Sequence, residues 1–232
     1  MQVTYRLLSF LIGYAIGNIS FGYILGKVKK KDLKTHGSGN IGATNSLRVL
    51  GASAGIITLV FDVLKAVIAG GIAYLIFSRV PGALETASIK LLMAYAGFGA
   101  VIGHIFPVYL RFIGGKGIAT ALGLMIIAFP ATIPVCVAAF LIAVILTRYV
   151  SLGSVLAALS LIVQSVCFAL LIPSLLPYQG TEVYEAMAFG IITGLIAIIK
   201  HRSNIKRLIT HTENKLSFHS KKASGEEEEE KR

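Results

Sequence analysis

Six long apolar stretches dominate the chain, at about 3–26, 50–78, 88–112, 117–147, 152–172 and 183–200, and the segments between them are short and polar. At about 1.5 Å of rise per residue, some 20 apolar residues match a hydrocarbon core about 30 Å thick, so such runs predict membrane-spanning helices. The run at 117–147 would make roughly 46 Å of helix, too long for one upright crossing. Pro130 and Pro134 lie near its middle, where missing amide donors and ring clashes break a helix and permit a turn. Splitting there predicts an all-α polytopic membrane protein with about seven transmembrane helices. The first run ends at Lys27-Val28-Lys29-Lys30-Lys31 and not at a small-residue cleavage site, so it is expected to stay as an anchor.

Composition agrees with this pattern. Hydrophobic residues make up 55% of the chain and charged residues 14%, against about 25% charged in soluble proteins, and the mean hydropathy is +0.78. Soluble, disordered and collagen-like classes are excluded. The net charge of +11 is read as loops facing anionic headgroups and anionic substrates, and nucleic acid is discarded as a partner. Eighteen of the 22 Lys and Arg fall on one set of loops, 27–49, 111–117, 148–151 and the C-terminal segment. The positive-inside rule then places the N-terminus outside and the C-terminus in the cytoplasm, with Glu85, Glu182 and Glu185 outside. From about 214 the chain turns to Ser, Lys and Gly and then Glu226 to Glu230, so 214–232 is expected to be a disordered cytoplasmic tail on a membrane domain of 1–213. Cys136 and Cys167 both lie in apolar runs and read as packed thiols. No metal spacing can be drawn.

Three polar motifs gather on the cytoplasmic side. The first, His36 to Arg48, carries Gly37, Ser38, Gly39, Asn40, Gly42, Thr44 and Asn45 just before the second span. Glycines let consecutive amides converge on phosphate oxygens, a following helix N-terminus adds positive charge, and Arg48 offers a bidentate fork. The second runs from Gly103-His104-Ile105-Phe106-Pro107 through Arg111 to Gly114-Gly115-Lys116-Gly117, where a basic glycine turn again opens an apolar helix. It lacks the full spacing of a nucleotide-binding loop, and its phosphate reading rests on Lys116 and unpaired amides. The third, Lys200 to Leu208, contains His201 and Asn204 three apart on one helical face, with Glu213 shortly after. A basic membrane anchor explains the cations of this motif but not that pair. Asp62 and Lys65, ionisable groups inside a span, have the spacing to pair and are read as structural support, and His104 and Lys65 stand as secondary site candidates.

These motifs resemble the bacterial acyl-phosphate:glycerol-3-phosphate acyltransferases. The resemblance rests on Gly17-Asn18-Ile19-Ser20, the Gly-Ser-Gly-Asn-Ile-Gly-Ala-Thr-Asn run through Arg48, Phe61-Asp62-Val63-Leu64-Lys65, the second motif, Ser151-Leu152-Gly153 and the His201–Leu208 segment. It implies a seven-helix fold in the bacterial cytoplasmic membrane with its active face cytoplasmic. It also implies an enzyme that moves an acyl chain from acyl phosphate to the sn-1 hydroxyl of glycerol 3-phosphate, the first step of phospholipid synthesis. No cofactor, metal, acyl-CoA or acyl carrier protein is expected. By resemblance, Ser38 and Arg48 are essential, Gly114, Gly115, Lys116 and Gly117 form the glycerol-phosphate loop, His201 and Asn204 are the third-motif pair, and Glu213 is structurally important. Where relatives often read Gly-Thr-Glu, this chain has His211-Thr212-Glu213. The soluble glycerol-phosphate acyltransferases use a His followed four residues later by Asp, a pair this chain lacks.

An acyl phosphate already carries a good leaving group, so such an enzyme mainly orients two anions, stabilises the carbonyl oxyanion and removes a proton. Arg48 and Lys116 are expected to neutralise phosphates, while His201 or a substrate phosphate oxygen takes the proton, the phosphate being favoured. Direct transfer is favoured over an acyl-Ser38 intermediate because no activating group adjoins Ser38 in sequence. A transporter of phosphorylated anionic solutes is the alternative reading, although it would place its polar residues near the midplane.

Overall fold

The computed structural model describes residues 2–216, and the glutamate-rich end of the expected tail lies outside the described residues. Every described element is helical, as a backbone in lipid must be when it cannot close a barrel. The helices are α1 (Gln2–Gly17), α2 (Phe21–Val28), α3 (Ala43–Leu50), α4 (Ala52–Phe77), α5 (Ile89–Ile105), α6 (Ile118–Ala128), α7 (Ile133–Thr147), α8 (Val150–Leu170), α9 (Glu182–Lys200) and α10 (Arg202–Ile209). Among the described residues six segments are long and apolar enough to cross a membrane, counting α1 and α2 as one. The long run does split at its prolines, with Pro130 opening a 3-10 turn and Pro134 in the first turn of α7, where a missing amide costs nothing. The two halves are unequal, however. The 11 residues of α6 span about 16 Å, roughly half the hydrocarbon thickness, so α6 is an apolar helix shorter than a full crossing.

Two further features depart from the sequence reading. Residues 43–50, expected as part of a loop, form α3, which ends at Gly51 with φ +94° before α4 begins. The first span is broken at Asn18–Ser20, and the exposed backbone there is satisfied from several sides. Asn18 Nδ2 donates to Tyr14 O (2.6 Å) and its Oδ1 accepts from Val108 N (2.8 Å). Lys65 Nζ donates to Ile19 O (2.7 Å), and Ser20 N donates to the Tyr109 hydroxyl (3.2 Å).

Helix α5 is the hub, packed against α1, α4, α6 and α9. Apolar lipid gives no hydrophobic reason for helices to associate, so close packing must supply the attraction. On α1, Gly13 and Gly17 lie four apart, and a Cβ on Gly13 would come within 1.7 Å of Ala96 O. On α5, Gly99 and Gly103 answer them, with Cβ positions 2.1 Å from Phe10 O and 2.3 Å from Tyr14 O. The two backbones are in contact because neither carries side chains there. At one end of the bundle Arg6 makes a two-pronged bond to Glu185 (2.9 and 3.0 Å), which also accepts from the Tyr95 hydroxyl (2.6 Å), tying α1, α5 and α9 together. The three polar motifs lie at the opposite end.

Gly13→Ala is expected to destabilise by about 1–3 kcal/mol or more, because the obstructing atom is backbone that cannot rotate away. Gly71→Ala, where a Cβ meets nothing within 4 Å, is expected to stabilise by about 0.5–1 kcal/mol through helix propensity alone. Thermal unfolding of the two variants in detergent should move in opposite directions.

Candidate active site

The polar motifs converge on one cavity of about 360 Å³. Its polar end is built from the 33–42 loop, α3, the turn before α6, and the α9–α10 junction. The loop is held by one side chain. Asn45, 1% exposed, accepts from Ser38 N (2.8 Å) through Oδ1 and donates through Nδ2 to the carbonyls of Leu33, His36 and Asn40 at 2.8–3.1 Å. Gly37, at φ +64°, could not carry a Cβ, which would fall 2.2 Å from Asn45 Oδ1. Asn45, expected to bind phosphate, thus spends its amide group on the loop. Gly37 and Gly39 shape that loop without lining the cavity, whereas Ser38, Asn40, Gly42 and Thr44 line it, with Arg48 one turn along α3.

The second motif also divides. Gly114 N donates to Ile105 O (3.2 Å) and Gly115 N to His104 O (3.1 Å), so neither amide is available to an anion, contrary to expectation. Gly115 is needed for space, since its Cβ would strike His104 Nε2 at 2.1 Å. Lys116 and Gly117 do line the cavity, followed by Ile118 and Ala119 in the first turn of α6. Among the described residues the amides of Ala43 and Thr44 in α3 and of Ile118 and Ala119 in α6 have no backbone acceptor, and both helices present these ends to the same space.

At the third motif, Lys116 Nζ donates to Asn204 Oδ1, Asn204 Nδ2 donates to Glu213 Oε1 (2.9 Å), and Arg207 Nε donates to Glu213 Oε2 (2.7 Å). Glu213 is therefore the anchor of a relay that ends on the Lys116 ammonium. Asn204 and His201 are both buried. His201 Nδ1 bonds Ala197 O (2.8 Å), and a carbonyl can only accept, so Nδ1 carries the proton and Nε2 the lone pair. Burial, reinforced by the charge of Lys116, lowers His201 to about 4 and keeps it neutral at pH 7. Burial also lowers Lys116 to about 8; Glu213 opposes this, while Arg207 and Arg48 add to it. It is still mostly charged at neutral pH.

Much of the remaining cavity wall is apolar, with Leu122 and Met125 of α6, Val137 and Phe140 of α7, Leu161 of α8 and Ala197 of α9, interrupted by the hydroxyls of Ser154 and Thr193. Asp62 and His104 contribute a second polar patch, and the expected Asp62–Lys65 pair forms at 2.7 Å. Lys65 itself is not part of the lining. Ser151, in the first turn of α8, was not among the expected site residues, yet its buried hydroxyl lines the cavity without a protein partner. Its signal was a hydroxyl next to Arg148 at a helix start, which looks the same as an ordinary helix opening. Among the described residues no group of three or more His, Cys, Asp and Glu could hold a metal ion.

One cavity lined both by Arg48, Lys116 and polar groups and by apolar side chains of α6 to α9, in an all-helical multi-pass membrane protein, fits an amphiphile with an anionic head. Comparison with known proteins names the family. Residues 7–211 match the family model described as glycerol-3-phosphate acyltransferase. The chain is 39% identical to the glycerol-3-phosphate acyltransferase of Chlorobaculum tepidum, covering 90% of this chain and 95% of that one. It is 37% identical to glycerol-3-phosphate acyltransferase 2 of Bacillus anthracis, over 91% and 99% respectively. Among solved structures it is similar to PlsY (YgiH), an integral membrane glycerol 3-phosphate acyltransferase. The glycerol 3-phosphate form gives a TM-score of 0.73 at 32% identity over 91% of this chain and 96% of that one. The lysophosphatidic acid form gives 0.71 at 30% over 93% and 97%. The chain belongs to the glycerol-3-phosphate acyltransferase family, whose reaction is a step of phospholipid synthesis.

Because the Lys116 charge is lost as pH rises through about 8, anion affinity at this end should fall above that pH. Sulfate, which does not titrate in this range, should bind about tenfold more weakly at pH 9 than at pH 7. Calorimetry on Lys116→Arg should show no such loss.

Proposed function

We propose that this chain transfers an acyl chain from an acyl phosphate to the sn-1 hydroxyl of glycerol 3-phosphate, yielding 1-acyl-glycerol 3-phosphate and inorganic phosphate. The observation that carries the reading is the cavity itself, whose one lining combines Arg48, Lys116 and the N-termini of α3 and α6 with apolar side chains of α6 to α9. We place the site at the cytoplasmic face of the bacterial inner membrane, with the N-terminus outside, the C-terminus inside and α6 counted as the seventh membrane helix. Residues 1–213 form the catalytic membrane domain and 214–232 a tail. Eighteen of 22 Lys and Arg on the site's side support this orientation.

Arg48 and Lys116 neutralise the two substrate phosphates, helped by the first-turn amides of α3 and α6. Ser38, with Asn40, Gly42 and Thr44 beside it, holds the acyl phosphate, and its chain lies along α6 to α9. Asn204, fixed by Glu213, aims Lys116. The sn-1 oxygen attacks the acyl carbon, the bond from that carbon to the phosphate oxygen breaks, and the hydroxyl proton passes to a phosphate oxygen. His201 is too weak a base at about 4 to take that proton efficiently near neutrality, so its Nε2 accepts a hydrogen bond and orients the hydroxyl. Ser38 Oγ donates no hydrogen bond to a histidine or carboxylate among the described residues, which supports direct transfer over an acyl-serine.

Purified protein given palmitoyl phosphate should release phosphate and form product only with glycerol 3-phosphate, and Ser38→Ala and Arg48→Ala should each lower kcat/KM by about 100-fold or more. Counterflow of labelled glycerol 3-phosphate in liposomes without product would replace this reading by transport. His201→Asn should lower kcat by about tenfold while leaving the acid limb of the pH–rate profile in place; loss of that limb with a drop of about 10²–10⁴ would make His201 the base.

A further inference from the structure

The apolar part of the cavity ends abruptly on all four helices that wall it. Counting away from the Lys116 end, the last lining residues are Met125 on α6, Cys136 on α7, Leu161 on α8 and Thr193 on α9. One turn further along the same faces, Ala128, Thr132, Gln164 and Gly190 are buried and do not line the cavity. Met125, Cys136 and Leu161 pack on one another as a single buried cluster, with Ile133 and Ala157 against it, and Ala157 is also part of the lining. The cavity therefore has a closed floor. Behind that floor Gln164 Nε2 donates to Ser160 O (3.2 Å) and Cys136 Sγ (3.3 Å), while its Oε1 is buried without a partner among the described residues. Ser151 and Leu161, which both line the cavity, are separated by about 15 Å along α8.

The walls of such an arm discriminate little between chain lengths, because a chain that leaves lipid for the arm exchanges one apolar surrounding for another. The floor is different. A methylene pushed against close-packed buried side chains forces them out of their preferred rotamers, and an alkyl end brought up to Gln164 would keep its amide oxygen unpaired. We infer that Met125, Cys136 and Leu161 form the floor of a measuring pocket for the acyl chain and set the longest acyl group this protein transfers. This rests on the acyltransferase reading above and specifies which acyl phosphates it takes. The competing path is sideways, since Leu59 of α4, 45% exposed, and the half-buried Phe140 of α7 also line the cavity, and a chain passing out beside them into lipid would not be measured.

The test gives the full-length protein, in lipid nanodiscs, a series of saturated acyl phosphates from decanoyl to arachidoyl in two-carbon steps, with glycerol 3-phosphate as acceptor. The wild type should use the series up to one length and lose about tenfold or more in kcat/KM at the next step. Leu161→Ala, which deepens the floor, should move that drop to a longer chain, and Ala157→Leu, which fills the space just above it, to a shorter one. Each variant is read as the ratio of kcat/KM for the chains on either side of the wild-type drop, so that a general loss of activity cancels, and the ratio should change by about tenfold. If Leu161→Ala does not fold, Met125→Ala on α6 takes its place. A series with no drop overturns the proposal in favour of the sideways path, and that result needs no variant to fold. A drop left at the wild-type length in the folded variants overturns it as well, as does a loss equal at every length, which marks a packing role alone. Absence of product from every donor in the wild type would sink the acyltransferase reading itself, and this proposal with it.

Discussion

The Lys65 ammonium holds together the parts of the molecule that regular helices cannot. A break in a membrane helix leaves carbonyls with no water to bond, and the chain breaks at residues 18–20. Lys65, from α4, reaches across to Ile19 O, balances its charge on Asp62 in its own helix, and bonds His104 at the end of α5. One side chain thus joins α1, α4 and α5 under the site. A buried charge without partners would be costly, and three well-placed acceptors turn that cost into a fixed geometry. The His104 ring then sets the path of the following turn, because Gly115 has to pass directly over it.

Around this point the molecule divides along its length. The end bearing Arg6, Glu185 and Tyr95 is closed by tight ion pairing, while the opposite end leaves a cavity lined by Arg48 and Lys116. Tight packing of the α1–α5 glycines makes the scaffold rigid without spending side chains on it. On that scaffold Arg48, Lys116, Ser151, His201 and Asn204 sit on helices near their ends or on short turns, and Ser38 and Asn40 sit on a longer loop pinned by Asn45. Two separate relays, Glu213–Asn204–Lys116 and Asp62–Lys65–His104, end on neighbouring residues of the same glycine turn, one on Lys116 and the other on the ring packed against Gly115. The turn is therefore fixed at two points, which suits a reaction that depends on placement more than on strong acids or bases.

The sequence made much of this legible. The apolar runs marked the spans, the two prolines marked the split between α6 and α7, and the spacing of Asp62 and Lys65 marked a pair that forms at 2.7 Å. The three motifs carried enough chemistry to suggest phosphate, and most of their residues do share a cavity. Glycine-rich character was less informative about role. Gly114 and Gly115 look in sequence like amides offered to an anion, but their amides are used on the 104–105 carbonyls, and Asn45 looks like a ligand but ties the loop. A glycine that exposes its amide and one that merely makes room read identically along the chain.

What the sequence determined by itself was set by local physics: hydrophobic length against bilayer thickness, proline against helix continuation, and charge against the membrane. Those terms act on residues close in sequence, so they can be read without coordinates. Only the tertiary structure decided which of the polar groups meet. Ser38, His104, Lys116, Ser151 and His201 come from widely separated segments, and their shared cavity depends on how closely α1 and α5 approach and on where α6 stops short. Those are outcomes of backbone contact between distant helices, and no spacing within one segment encodes them.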